Sequence, residues 1–209
     1  MVELTEKFTQ AVDYARIAHG QQVRKGSGIP YLYHLLGVAS LVIGYGGTED
    51  QAIAGLLHDV LEDCGAAHEQ NIRDKFGDVV ADIVLDCTDG SMEDKAEHSS
   101  PEGRRRDWLT RKIAYLNHVR HESAEALLVS ACDKLHNASA IVVDLEDPAV
   151  GREVFDRFTA SREDTLAYYY SLSTILFDRA SPVARVFSAA VARMHELAGV
   201  EAPRELQDC

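Results

Sequence analysis

The chain has 209 residues, 46% of them hydrophobic and 26% charged, which is enough for one buried core and unlike a disordered tail. A formal net charge of -13 argues against a nucleic-acid backbone as partner, because that binding needs clustered positive charge. A small phosphorylated ligand stays open, since a bound divalent cation and a few local Arg or Lys side chains can reverse the field in one pocket.

The opening residues, Met1 to Lys7, carry acids and lack the apolar centre of a signal peptide. No apolar run approaches the ~20 residues of a membrane helix, so no membrane partner is expected. Cys64, Cys87, Cys132 and Cys209 show no CxxC pairing and are read as reduced thiols of a cytoplasmic protein.

Along the chain the periodicity is helical. Phe8, Val12, Ala15 and Ala18-His19 space out as one face of a first helix, which Gly20 ends. Gly26-Ser27-Gly28-Ile29-Pro30 is a loop, with Pro30 placed to start the next element. Helical segments follow at about 33–44, 49–62, 68–76, 78–87, 104–120, 123–144, 162–179 and 182–198. The stretch from Asp89 to Gly103 is polar and turn-rich and reads as a mobile loop. Ile141-Val142-Val143 is the one β-like run, and it continues a helical pattern. With no repeat and no linker, residues 1–209 are expected to form a single all-α domain, a helical bundle of roughly eight to ten helices.

Several polar clusters interrupt this apolar pattern. In a helix, His58 lies beside Glu62 and Asp59 beside Asp63, four residues apart. Carboxylates crowded at the negative end of a helix repel one another and the dipole, and a divalent cation relieves that repulsion. Asp133 and Asn137 repeat the spacing within the apolar segment from Leu127 to Leu135, where a lone carboxylate is costly to bury. His34, next to Tyr31-Leu32-Tyr33, offers a second imidazole. Two His and two Asp with open positions suit a metal ion engaged in hydrolysis. Each piece alone has a plainer reading: a hydrogen-bonded core histidine, a cap, or a solvated loop at Arg24-Lys25-Gly26. His19, His68, His98, His118, His121, His136 and His195 are read as structural. Arg104-Arg105-Arg106 and Lys112 are read as a solvated helix face.

Taken in order, these residues resemble the HD phosphohydrolases, whose pattern is His, then His-Asp, then a distant Asp. The resemblance is closer to the hydrolase half of the RelA/SpoT family and to its stand-alone form, the small alarmone hydrolases. It runs from about residue 8 to residue 178 and includes Ala18 to Lys25, Ile29-Pro30-Tyr31 with His34, Leu56-Leu57-His58-Asp59 with Glu62-Asp63, Lys75-Phe76-Gly77, Cys87-Thr88-Asp89, Asp133-Lys134-Leu135 with Asn137, and Tyr168-Tyr169-Tyr170. It implies Mn²⁺-dependent hydrolysis of the 3′-pyrophosphate of (p)ppGpp or (p)ppApp, the nucleotides of the stringent response, with another divalent transition metal left open. His34, His58, Asp59 and Asp133 would hold the metal. Glu62 and Asp63 would position and deprotonate the attacking water, and Arg24, Lys25 and Asn137 would contact the nucleotide. With no segment assigned to a synthetase, the expectation is degradation only; homo-oligomer formation is left open.

Leu35 and Cys64 stand where the family usually has proline and threonine, and Gly26-Ser27-Gly28 makes a short, glycine-rich base-side loop. Few side chains there can read a base edge, so relaxed purine choice is expected. The alternative functions are an HD nucleotidase, an NADPH 2′-phosphatase, or a non-catalytic nucleotide-sensing module.

Overall fold

The helical periodicity becomes ten α-helices and one 3₁₀ segment among the described residues, 2–88, 100–200 and 202–207 of a computed structural model. The helices are α1 (Glu6–His19), α2 (Leu32–Gly44), α3 (Glu49–Leu57), α4 (Val60–Cys64), α5 (His68–Phe76), α6 (Asp78–Cys87), α7 (Pro101–Val119), α8 (Ala124–Glu146), α9 (Arg162–Asp178) and α10 (Ala184–Ala198). The 3₁₀ segment, Gly151–Arg157, precedes α9. The extended pairing found among the described residues is an isolated antiparallel bridge between Val23 and Pro30. The fold is all-α.

Two compact units are formed, one from residues 1–94 and 122–133, the other from 95–121 and 134–209, with α8 contributing to both. In the first unit α3 is the central element: Gln51 to Leu57 are all buried, so this helix is enclosed on every side. A capping box starts it, with Gln51 N donating to Thr48 Oγ1 at 3.2 Å and Thr48 N to Gln51 Oε1 at 2.9 Å. α1 turns its small residues Ala11 and Ala15 inward. Its N-cap Thr5 also donates through N and Oγ1 to Glu49 Oε1, at 2.5 and 2.9 Å, which pins the starts of α1 and α3 together.

α2 buries His34, Leu35, Val38, Ala39 and Val42, the residues of one helical stripe. It meets α3 where α3 carries Gly55. A Cβ on Gly55 would stand 3.3 Å from Ala39 Cα, so glycine is what allows these backbones to approach. Gln51 Nε2 donates to Glu125 O at 3.0 Å, tying the start of α3 to the first turn of α8.

In the second unit α9 is the buried element, with Leu166, Tyr168, Leu172, Ile175 and Leu176 inside. Arg105 on α7 donates to both oxygens of buried Asp164, Nε to Oδ2 at 2.6 Å and Nη2 to Oδ1 at 3.0 Å. Lys112 lies over the Tyr115 and Tyr168 rings, 5.7 and 5.3 Å from their centroids. Arg105 and Lys112 are therefore engaged with protein groups rather than simply solvated, as expected of that helix face; Arg104 and Arg106 are exposed.

Two boundaries depart from the sequence reading in ways that matter. The helix expected over 49–62 ends at Leu57, and His58-Asp59 form a turn before α4. α7 begins at Pro101 rather than 104, because Ser100 accepts from Gly103 N at 3.1 Å and proline suits a first helical turn. The rest of the polar stretch, Asp89 to Ser99, with His98, lies outside the described residues. α8 is long and apolar enough, by length and composition, to cross a membrane, although no such run was expected. Most of it is buried in the protein, and it carries Asp133 and Lys134, which marks a core helix.

Candidate metal centre and active site

Three elements of the first unit bring together two imidazoles and two carboxylates. His34 comes from the buried stripe of α2, His58 and Asp59 from the turn between α3 and α4, and Asp133 from α8. His34 Nε2 lies 3.1 Å from Asp133 Oδ1 and 3.6 Å from Asp59 Oδ2. His58 Nε2 lies 3.0 Å from Asp59 Oδ2 and 3.5 Å from Asp133 Oδ1. The two imidazole rings meet edge to face at 5.2 Å. His34, His58 and Asp133 are buried and Asp59 is half-buried.

The break at His58-Asp59 aims these side chains. Asp63 N still bonds to Asp59 O at 2.8 Å, so the chain re-enters a helix one residue on. His58 Nδ1 faces Gly55 O at 2.9 Å, and a carbonyl only accepts, so Nδ1 carries the proton and donates. That leaves Nε2 facing the carboxylates, the arrangement by which a second partner fixes a ligating histidine. Although it lies 3.0 Å from Asp59 Oδ2, His58 Nε2 makes no well-aligned hydrogen bond.

Burial alone would strip charge from these groups, yet their mutual field prevails. Burial lowers the His58 pKa, but the charges of Asp59 and Asp133 outweigh it and hold the imidazole well above its ordinary value. Burial raises the Asp59 pKa, but the His58 charge and the nearby imidazoles hold it well below the usual carboxylate range. A proton on His58 thus does what a cation would do between two buried acids. His34, His58 and Asp59 offer ligand atoms within 4.8 Å of one another. Two imidazole nitrogens and two carboxylate oxygens pointed at one place fit a divalent transition metal.

The two acids of α4 are half-buried beside this cluster in sequence. Asp63 Oδ2 accepts from Gln22 Nε2 at 2.7 Å. Because the amide nitrogen is spent there, Gln22 Oε1 faces His19, whose Nδ1 lies 2.8 Å away and donates. Asp59 Oδ2 accepts from the Tyr31 hydroxyl at 2.6 Å. Burial, then the charges of Asp59, Asp63 and Asp133, push the Tyr31 phenol far above its usual range, so it is a donor. Cys64 Sγ donates to Ala18 O at 3.4 Å, and burial with Asp63 and Asp59 raises its thiol to about 11, which makes it a neutral packing group and no nucleophile.

Gln22 and Tyr31 are neighbours because the loop between α1 and α2 is a short hairpin. Tyr31 N donates to Gln22 O at 2.9 Å, and Arg24 N donates to Ile29 O at 2.8 Å. The tip reverses at Gly26 and Gly28, with φ of 81° and 69°, a conformation in which glycine carries no Cβ penalty. Arg24 is half-buried with its Cζ 5.9 Å from the Tyr31 ring centroid, whereas Lys25 is exposed. Asn137 is half-buried and belongs to the second unit.

The sequence reading did not single out Tyr31 or Gln22, and it left His19 as an ordinary core histidine. His19 is buried and stacked on Tyr31 at 5.1 Å, and it reaches Asp63 through Gln22. The available signal was their place: all three flank Arg24-Lys25, in the segments that carry the family resemblance.

The all-helical fold and the His, His-Asp, Asp cluster define a class, and the comparisons agree with it. The HD domain family profile matches residues 11–166, and this chain belongs to the HD domain family. It is similar to the guanosine-3′,5′-bis(diphosphate) 3′-pyrophosphohydrolase MESH1 of Xenopus tropicalis, 37% identical over 131 residues that span 61% of this chain and 65% of that one. MESH1 of Drosophila melanogaster is 30% identical over 66% of this chain and 71% of its own length. The guanosine-3′,5′-bis(diphosphate) 3′-pyrophosphohydrolase of Aquifex aeolicus is 32% identical over 68% of this chain but only 19% of its own length. This chain therefore spans under two thirds of the Xenopus relative and about a fifth of the Aquifex one. A solved structure of a metazoan ortholog of SpoT that hydrolyzes ppGpp shares the fold, with a TM-score of 0.70 at 21% identity over 96% of this chain and 99% of that one.

Proposed function

We propose that this chain is a metal-dependent phosphohydrolase that removes the 3′-pyrophosphate of (p)ppGpp or (p)ppApp, with Mn²⁺ as the working metal. The observation that carries the reading is the convergence of His34, His58, Asp59 and Asp133, with the acids Glu62 and Asp63 following directly in sequence. The relatives' activity supports the substrate class. The family match runs through residues of both compact units, which supports treating 1–209 as one HD-type domain.

When bound, the cation supplies Lewis acidity that polarises a phosphoryl oxygen and lowers the pKa of water from ~16 toward ~7. His34, His58, Asp59 and Asp133 would hold it. Glu62 and Asp63 orient the attacking water and take its proton, a contribution of about 10²–10⁴-fold. Gln22 keeps one Asp63 oxygen occupied and so fixes how the carboxylate faces the water. The water oxygen bonds to phosphorus as the bond from that phosphorus to the ribose 3′-oxygen breaks; the 3′-oxygen takes up a proton to become the hydroxyl, and pyrophosphate is the second product. Arg24 and Lys25 hold the nucleotide, the first by its planar face and the second as a point charge. Asn137 bonds ribose or phosphate without adding negative charge.

The test is a hydrolysis panel of ppGpp, ppApp, NADPH and ordinary nucleoside monophosphates with Mn²⁺, alongside metal analysis of the purified protein. Release of pyrophosphate from ppGpp or ppApp, lost on chelation, is the expected result. Turnover restricted to monophosphates or NADPH would assign the site to the nucleotidase or phosphatase alternatives. Absence of both metal and turnover would leave a nucleotide-sensing module.

A further inference from the structure

We propose that Tyr31 is a positioning residue that ties the metal ligand Asp59 to the nucleotide-binding Arg24, so that one side chain sets both metal geometry and substrate docking. The proposal rests on the metal-dependent reading above. Its hydroxyl donates to Asp59 Oδ2 at 2.6 Å. That oxygen is the one 3.0 Å from His58 Nε2 and 3.6 Å from His34 Nε2. A carboxylate is free to rotate about its Cβ–Cγ bond, and a short O–H···O⁻ bond removes that freedom at the oxygen that must face the cation.

The ring does separate work. It meets the His34 imidazole at 5.4 Å, edge to face, and stacks on buried His19 at 5.1 Å with 24° between planes, so it cannot tilt without disturbing both histidines. The Arg24 guanidinium lies over the same ring, Cζ 5.9 Å from its centroid. The hairpin bonds Tyr31 N to Gln22 O and Arg24 N to Ile29 O hold the Arg24 backbone beside Tyr31. The ring thereby offers the Arg24 guanidinium a face to rest on, and a nucleobase that stacks on Arg24 rests indirectly on the residue that holds Asp59.

The two jobs separate experimentally. Mn²⁺ affinity is measured by calorimetry without substrate, and kcat and KM for ppGpp at saturating Mn²⁺, in wild type, Tyr31→Phe, Tyr31→Leu and Arg24→Ala, with circular dichroism to verify the fold. Tyr31→Phe keeps the ring and loses the hydroxyl, so Mn²⁺ should bind about 10–100-fold more weakly, as on loss of a partner to a metal ligand, with KM unchanged. Tyr31→Leu should weaken Mn²⁺ equally and also raise KM by about 3–5-fold, the scale of one cation–π contact. Arg24→Ala should raise KM and leave Mn²⁺ affinity alone. Tyr31→Phe binding Mn²⁺ as tightly as wild type would overturn the hydroxyl's role. A Tyr31→Leu enzyme with the KM of Tyr31→Phe would overturn the ring's role. Wild type that takes up no Mn²⁺ sinks the metal reading itself and this inference with it, a result distinct from either.

Discussion

At the scale of single residues, the proposed reaction divides the centre into groups that hold charge and groups that move a proton. Asp59 and His58 face one another and Asp133 in a buried setting, so removing either leaves the remaining charges uncompensated and the cation short of a ligand. Asp59→Ala or His58→Ala should abolish Mn²⁺ binding and turnover together while leaving the far-ultraviolet helical signal largely intact. Full metal retention and activity in either variant would sink the ligand assignment. Glu62→Gln should behave differently, keeping Mn²⁺ and substrate affinity but lowering kcat by about 10²-fold or more, as loss of a general base does. A Glu62→Gln protein that arrives without metal would instead show Glu62 to be a ligand. That His34, His58, Asp59 and Asp133 come together was legible in the sequence, because metal chemistry favours particular residue types at recognisable spacing. Tyr31, Gln22 and His19 were not, because tyrosine, glutamine and histidine perform structural tasks everywhere, and their partners Asp59 and Asp63 lie 28 or more residues away.

At the scale of elements, α2 and α3 must approach closely for His34 and His58 to face one another, and Gly55 permits it. Gly55→Ala gains at most about 1 kcal/mol of helix propensity. It forces a methyl against the Ala39 backbone, an overpacking that costs about 1–3 kcal/mol. The expected net loss is on the order of 1 kcal/mol, a Tm lower by about 2–4 °C in thermal melts of a domain this size. A Tm at or above wild type would mean that α2 yields easily. The hairpin between α1 and α2 carries a second prediction. Its tip offers Ser27 and backbone groups to a base edge, and the Ser27 hydroxyl already accepts from Ile29 N at 3.4 Å. We expect kcat/KM for ppApp to be at least comparable to that for ppGpp. A guanine preference above ~100-fold, roughly 2.7 kcal/mol, would show that the tip reads the base edge after all. Helix positions were legible from apolar periodicity, whereas the break at His58-Asp59 was not. Those residues keep helix-like backbone angles, with φ of -57° and -94°, so nothing in the local pattern announces the turn.

At the scale of the whole molecule, part of the stability in acid comes from the ion pair of Arg105 with buried Asp164 in the second unit. Burial raises the Asp164 pKa, but the Arg105 guanidinium bonded to both its oxygens, with the Ser161 hydroxyl beside it, overcomes that and holds the carboxyl below its ordinary value. A carboxyl that binds its proton less readily when folded stabilises the protein above the ordinary carboxylate range. That contribution is lost as pH falls through the folded value, below about pH 4. Asp164→Asn should therefore lower the Tm near neutrality and flatten its decline between about pH 5 and pH 3. Equal acid limbs in the two proteins would place the acid sensitivity elsewhere. The all-α class and the family were readable from the sequence, but the pairing of Arg105 with Asp164 was not, since three consecutive arginines on a helix look like any solvated face.

The hairpin has a consequence for redesign. Its two ends, Gln22 and Tyr31, grip the acids Asp63 and Asp59, while at its reversal Gly26 and Gly28 carry no side chain and Ser27 Oγ accepts from Ile29 N. Grip and tip are thus separable parts of one ten-residue handle. On the proposed reading, libraries confined to residues 26–28 would explore new nucleobases while Gln22 and Tyr31 stay in place, and a grafted handle would have to carry both ends.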